Sequence, residues 1–111
     1  MSPIRSTVIL LSITGLLGAC AAVEIGADFE PARFQSDTRI GVTTMGEVKA
    51  LMGEPASRGK RTDADGAVFD KWVYYYGTGM PPQFADVSFK MLEVYFDNKG
   101  RVSAFSWSSS E

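Results

Sequence analysis

Histidine is absent from this chain of 111 residues, and cysteine occurs once. The first absence removes the imidazole that Ser-His-Asp and Cys-His nucleophile arrangements depend on, and with it the commonest zinc ligand. The second means that no internal disulfide can support a core that is small to begin with. Positive charge is also scarce. The 11 Lys and Arg side chains are outnumbered by 13 Asp and Glu, giving a net charge of −2, which is not the balance of a nucleic-acid binder. Long apolar runs are missing as well: the stretch from Ser6 to Leu17 is short of the roughly 20 residues that a membrane-spanning helix requires. Asp63-Ala64-Asp65-Gly66 has part of the look of a calcium loop, but Arg61 stands at the first ligand position and Trp72 at the closing glutamate, so the match fails. Ser106, Ser108, Ser109 and Ser110 have no base beside them in sequence and read as a polar tail. Composition leaves catalysis by a carboxylate pair open. No metal, cofactor or small-molecule substrate is indicated.

What is present begins with the lone thiol. Met1 to Arg5 is a short basic leader, the apolar stretch follows, and the stretch closes on Leu17-Gly18-Ala19-Cys20. Charge first, apolar run second and small residues third is the order of a secretory signal peptide. A cysteine directly after the small residues resembles the bacterial lipobox. That resemblance implies cleavage between Ala19 and Cys20, a thioether from Cys20 to diacylglycerol, and acylation of the new amine. A thiolate is the side-chain nucleophile suited to such a reaction near neutral pH, and lipidation anchors a chain without spanning the bilayer. The competing reading is an uncleaved anchor, or an ordinary signal peptide with a chance cysteine. Ala21, where an aspartate would mark inner-membrane retention, points to the outer membrane and its periplasmic face. Loss of Arg5 with the leader would shift the net charge to about −3.

The chain therefore divides into a signal peptide (1–19), a lipidated cysteine with a tether (20–36) and a folded domain (37–111). Residues 21–28 read as a spacer of small residues. Pro31 is suited to the first turn of a short helix over 29–36. The clearest local signal is Thr44 to Pro55. Thr44 and Glu47 have capping-box spacing, and Met45, Val48, Leu51 and Met52 recur at helical intervals. Gly53 and Pro55 then stop the helix. Residues 56–67 turn polar and read as a loop. Strand character follows in Phe69 to Gly77, again in Val87 to Phe96, and, after the tight turn Asp97-Asn98-Lys99-Gly100, in Arg101 to Trp107. The expected fold is α+β: a two-layer sandwich with one or two short N-terminal helices packed on a three-stranded antiparallel β-meander.

Alternation along the strands separates two faces. Trp72, Tyr74 and Tyr76 pair in parity with Leu92, Val94 and Phe96 as the buried set. Tyr75, Phe89, Met91 and Tyr95 take the opposite parity, and simple counting adds Phe105 and Trp107 to them. Six aromatic or methionine side chains on a face away from the core leave two readings. Either the tether or the loop 77–84 folds over them or the parity of the last strand is shifted, or they form a protein-docking surface.

Taken in order, Thr44-x-x-x-Val48, the closing Gly53-Glu54-Pro55, Trp72-x-Tyr74 and Leu92-x-Val94-x-Phe96-Asp97-x-x-Gly100-x-Val102 resemble the signature of the SmpA/OmlA (BamE-like) family of bacterial outer-membrane lipoproteins. The similarity runs from about Ile40 to Val102. It departs before Thr44, where Val42-Thr43 replaces the family's Gly-Met. The resemblance implies a non-enzymatic accessory or scaffold subunit of an envelope machine such as the β-barrel outer-membrane protein assembly complex, with protein subunits as partners. It also implies a contact with anionic lipid, for which Arg58, Lys60 and Arg61 are the candidates; the alternative is a solvated loop balanced by Asp63 and Asp65. A scaffold lipoprotein of a different envelope complex, and a free-standing inhibitor-like binding module, are the other functions compatible with these features.

Overall fold

The structure, a computed structural model, describes residues 22–84 and 86–110. The leader, the Ala19–Cys20 junction and the thiol of Cys20 lie outside the described residues. The element order is β1 (Val23–Gly26), α1 (Pro31–Asp37), α2 (Met45–Met52), β2 (Ser57–Thr62), β3 (Val68–Gly79), β4 (Ser88–Phe96) and β5 (Val102–Ser109). The fold is thus α+β, with two helices and an antiparallel sheet.

Helix α2 forms as its sequence specifies. The backbone N–H of Glu47 donates to Thr44 Oγ1 at 3.2 Å, and the N–H of Thr44 donates to Glu47 Oε1 at 3.0 Å, satisfying donors that the first turn leaves without helical partners. Gly53 closes the other end, its N–H on the Lys49 carbonyl at 2.8 Å. Helix α1 starts on Pro31, where the missing N–H costs no helical bond.

The sheet has five strands, and this corrects the expected three-stranded meander. β3, β4 and β5 follow one another as hairpin partners, but the 12-residue β3 is long enough to carry two more strands along its other edge. β2 pairs with its first half, Ser57 opposite Val73 through Thr62 opposite Val68. β1 pairs with its second half, Val23 opposite Gly79 through Gly26 opposite Tyr76. Both segments were expected to be irregular. β1 is only four residues long, too short for a periodic signal. β2 is polar and exposed throughout, as suits an edge strand whose charges discourage pairing with another chain. Gly26 lets β1 close on β3: it has φ of +84°, and a Cβ there would stand 2.1 Å from the Tyr75 carbonyl oxygen, so no other residue fits.

The core lies between the helices and one face of the sheet. Phe34 of α1 and Val48 of α2 meet Trp72 and Tyr74 of β3, Leu92, Val94 and Phe96 of β4, and Val102 of β5. Trp72 and Phe96 pack edge to face with ring centres 4.8 Å apart. The parity assignment for β3 and β4 agrees with the pairing, which sets Trp72 opposite Val94 and Tyr74 opposite Leu92, but Tyr76, expected in the buried set, stays outside the core with its hydroxyl on Glu24. Tyr74 is inserted deeply enough that its hydroxyl reaches the Gly53 carbonyl at 2.9 Å, at the end of α2. Burial, reinforced by the nearby Glu54 carboxylate, pushes its pKa up to about 12. Lys90 fastens the segment before α1: its Nζ donates to Asp28 Oδ1 at 2.8 Å, to the Phe29 carbonyl at 2.9 Å and to Glu30 Oε1 at 3.2 Å.

Candidate functional site

Residues opposite one another in an antiparallel sheet share a face, so the pairing defines the side turned away from the core. Its cross-strand rows are Ile25, Gly77 and Phe89; Tyr75, Met91 and Ser108; Val73, Glu93 and Ser106; and Lys71, Tyr95 and Ala104. Four of the six predicted docking residues, Tyr75, Phe89, Met91 and Tyr95, therefore stand together on this outer face. Tyr75 and Phe89 are 40% and 44% exposed; the loop after Gly79 covers only the end of this face, where Phe84 and Val87 lie on Gly79.

Phe105 and Trp107 are a correction. They pair with Val94 and Leu92, both core residues, and so lie on the inner face. The ring of Phe105 packs edge to face on Phe34 of α1 at 5.1 Å, and Trp107 Nε1 donates to Gln35 Oε1 at 3.2 Å. The cause is an irregularity in the pairing between Tyr95 and Phe96. Tyr95 faces Ala104 but Phe96 faces Val102, which leaves Ser103 without an opposite residue. A bulge of one residue reverses the parity of everything beyond it, and counting along a uniform strand misses it.

The lower half of the outer face carries a polar network. Tyr95 donates its hydroxyl to Glu93 Oε2 at 2.7 Å, Lys71 Nζ lies 3.7 Å from Glu93 Oε1, and the Arg61 guanidinium sits 5.1 Å from the centre of the Tyr95 ring. The bond to the Glu93 carboxylate raises the pKa of Tyr95, with a further push from burial, so the phenol is held as a hydrogen-bond donor at neutral pH. The upper half is apolar. A hollow of about 190 Å³ opens there, lined by Val23 and Ile25 of β1, Phe84 and Val87 of the β3–β4 loop, and Phe89. Sequence reading passed over Val23, Ile25, Phe84 and Val87 because each belongs to a segment taken as a spacer, a loop or a strand end. The signal that marks them is apolar residues recurring on both sides of Pro81-Pro82 and directly after Cys20.

No protein-family model, curated protein or solved structure matches this chain significantly. The arrangement of side chains is thus the ground for a functional reading.

Arg58, Lys60 and Arg61 do not form the single cationic cluster expected of them. They belong to a strand, so Arg58 and Lys60 follow Trp72 and Asp70 onto the inner side while Arg61 follows Phe69 onto the outer. Each is also paired with an acid: Arg58 with Glu54, Lys60 with Asp70 at 2.6 Å, and Arg61 with Asp63 at 2.8 Å. Arg58 additionally lies over the Trp72 ring at 5.2 Å, where its apolar stem shields the lower core from water.

A second hollow, about 340 Å³, lies beside α1 and α2 and is lined by Asp28, Glu30, Arg33 and Leu51 among others. Its two acids are engaged by Lys90, and Arg33 is engaged by Asp37 at 3.6 Å. Asp63 and Asp65 shape the turn from β2 to β3: Gly66 N–H donates to the Asp63 carbonyl and Ala67 N–H to Asp65 Oδ1. Among the described residues no group of three or more His, Cys, Asp or Glu is placed to hold a metal ion. No helix among them is long and apolar enough to cross a membrane.

Proposed function

We propose that this chain is a non-enzymatic lipoprotein, anchored through Cys20 to the outer membrane on its periplasmic face, and that it serves as an accessory or scaffold subunit of an envelope machine such as the β-barrel outer-membrane protein assembly complex. The observation that carries this reading is the division of the sheet into a face packed on the helices and a face that holds Phe89, Tyr75 and Met91 in adjoining rows and Tyr95 two rows beyond Met91, all exposed or partly exposed. We read the architecture as a two-layer module, helices on one side and the other side reserved for a partner. Aromatic and methionine side chains supply large apolar contact area, and they are enriched at protein interfaces. Glu93, Lys71 and Arg61 beside them give such an interface directional polar contacts. The choice of machine rests on the SmpA/OmlA resemblance, whose motif positions fall on the α2 cap and on the inner rows of β3, β4 and β5.

The test is a photo-crosslinking amino acid placed at Tyr75 in the lipidated protein, crosslinked in intact membranes, with the captured proteins sequenced by mass spectrometry. Recovery of barrel-assembly subunits is expected. Capture of a different envelope complex would move the protein to that machine. Capture of one soluble periplasmic protein alone would identify an inhibitor-like module instead and defeat the scaffold proposal.

A further inference from the structure

We infer that the apolar end of the outer face, formed by Val23, Ile25, Phe84, Val87 and Phe89, rests on the lipid bilayer that holds Cys20, so that the domain is docked on the membrane surface and not suspended above it; this rests on the lipid-anchor reading. Reach is the first ground. Val23 is three residues beyond Cys20, and three residues of fully extended chain span about 11 Å at most. Val23 is also not free to swing away, because it is the first residue of β1 and is paired with Gly79 of β3. A lipid on Cys20 therefore keeps the start of β1 within about 11 Å of the lipidated residue, close to the bilayer surface.

The second ground is what stands at that end. The loop that follows Gly79 returns over the sheet. A Cβ on Gly79 would lie 2.8 Å from Phe84 Cδ1 and 3.2 Å from Val87 Cγ2, so the glycine is what allows Phe84 and Val87 to settle onto the strand. Phe84 has φ of +54°, a left-handed conformation unusual for an aromatic residue. Ile25 and Val87 are 57% and 56% exposed. The side chains lining this hollow carry no charge. Glu24, the charged residue of β1, turns to the other face and accepts from the Tyr76 hydroxyl at 3.0 Å. Asp86 stands exposed on the same loop and would remain among the headgroups, which makes the contact interfacial and not deeply inserted.

The third ground is polarity along the sheet. The opposite end, about 35 Å away along β3, carries the turn with Asp63 and Asp65 and the hairpin with Asp97, Lys99 and Arg101. The hollow on the outer face is apolar at the end where β1 begins, and the far end of the sheet is edged by these charges.

The experiment uses the full chain made and processed in a Gram-negative host, with Val87→Cys as a single added thiol carrying an environment-sensitive fluorophore and Lys99→Cys as the far-end control. The purified protein is placed in phosphatidylethanolamine/phosphatidylglycerol vesicles with and without a nitroxide quencher on the acyl chains. Emission from position 87 is expected to shift to the blue and to lose intensity to the quencher, while position 99 does neither. A protein whose intact mass shows the lipid on Cys20 but whose label at 87 stays water-like would overturn the docked arrangement alone. An intact mass with an unmodified Cys20 would overturn the anchor and the docking together. A label at 87 already shielded by a co-purifying protein before vesicles are added would overturn the bilayer as occupant in favour of a protein.

Discussion

The two faces of the sheet are built from the same strands, alternating residue by residue, yet they are finished in opposite ways. On the inner face Leu92, Val94, Phe96 and Val102 are wholly removed from water, Phe34 and Val48 descend on them from the helices, and Arg58 and Lys90 close the margins with ion pairs. On the outer face Tyr75, Phe89, Met91 and Tyr95 stay partly in water, with a polar network at one end and an apolar platform at the other. Burial of apolar surface is the dominant favourable contribution to folding, so the inner face accounts for the stability of the domain. The outer face is left to do something else.

That contrast can be broken or sharpened by substitution. The largest effect is expected from Phe96→Ala, which empties a side chain at the centre of the inner face. A loss of about 3–5 kcal/mol is comparable with the whole stability of a small domain, and chemical denaturation should show little or no cooperative unfolding. Phe105→Ala comes next. Because this ring packs on Phe34, stability should fall by about 1–3 kcal/mol; a silent substitution would return Phe105 to the outer face. Thr44→Ala removes the acceptor of the α2 cap and should cost about 1 kcal/mol, read as a shift in the denaturation midpoint without a change in slope. A smaller effect is expected at the β4–β5 turn, where Asp97 Oδ1 accepts from the N–H groups of Arg101 and Lys99 at 3.0 and 2.8 Å. The Arg101 bond, then the Lys99 bond and both cations, hold this carboxyl below its ordinary value of 3.8. A lowered folded pKa stabilises the fold above the ordinary value and loses that contribution as pH falls through the folded one. Acid below about pH 4 should therefore loosen this hairpin in wild type, while Asp97→Asn should remove that part of the pH dependence. Tyr75→Ser on the outer face should leave stability within about 0.5 kcal/mol of wild type while abolishing co-purification of the partner from mild detergent; loss of cooperative melting in this variant would show that the two faces are not separable.

Much of this was legible in the chain because it is local. The α2 cap needs only Thr44 and Glu47 three residues apart, and the helix stop needs only Gly53 and Pro55. The inner rows of β3 and β4 follow from alternation over six or more residues. What escaped was non-local or too short. Val23 to Gly26 becomes a strand because β3 offers it an unpaired edge, and Ser57 to Thr62 does so despite lacking apolar residues. The bulge at Ser103 leaves no mark in a pattern of alternating residues, yet it moves Phe105 and Trp107 to the other side of the sheet. The same pairing divides Arg58 and Lys60 from Arg61, which proximity in sequence had grouped.

By itself, then, the sequence determined the α+β class, the ends of α2, the identity of the buried rows on β3 and β4, and the exclusion of histidine and disulfide chemistry, because these depend on residue type and on neighbours within a few positions. Only the tertiary structure decided how many strands the sheet has, which face each residue of β5 takes, and that Val23, Ile25, Phe84, Val87 and Phe89 come together at the end of the sheet where β1 begins. Those outcomes depend on hydrogen-bond pairing between segments tens of residues apart, and a single unmatched residue or one free strand edge is enough to change them.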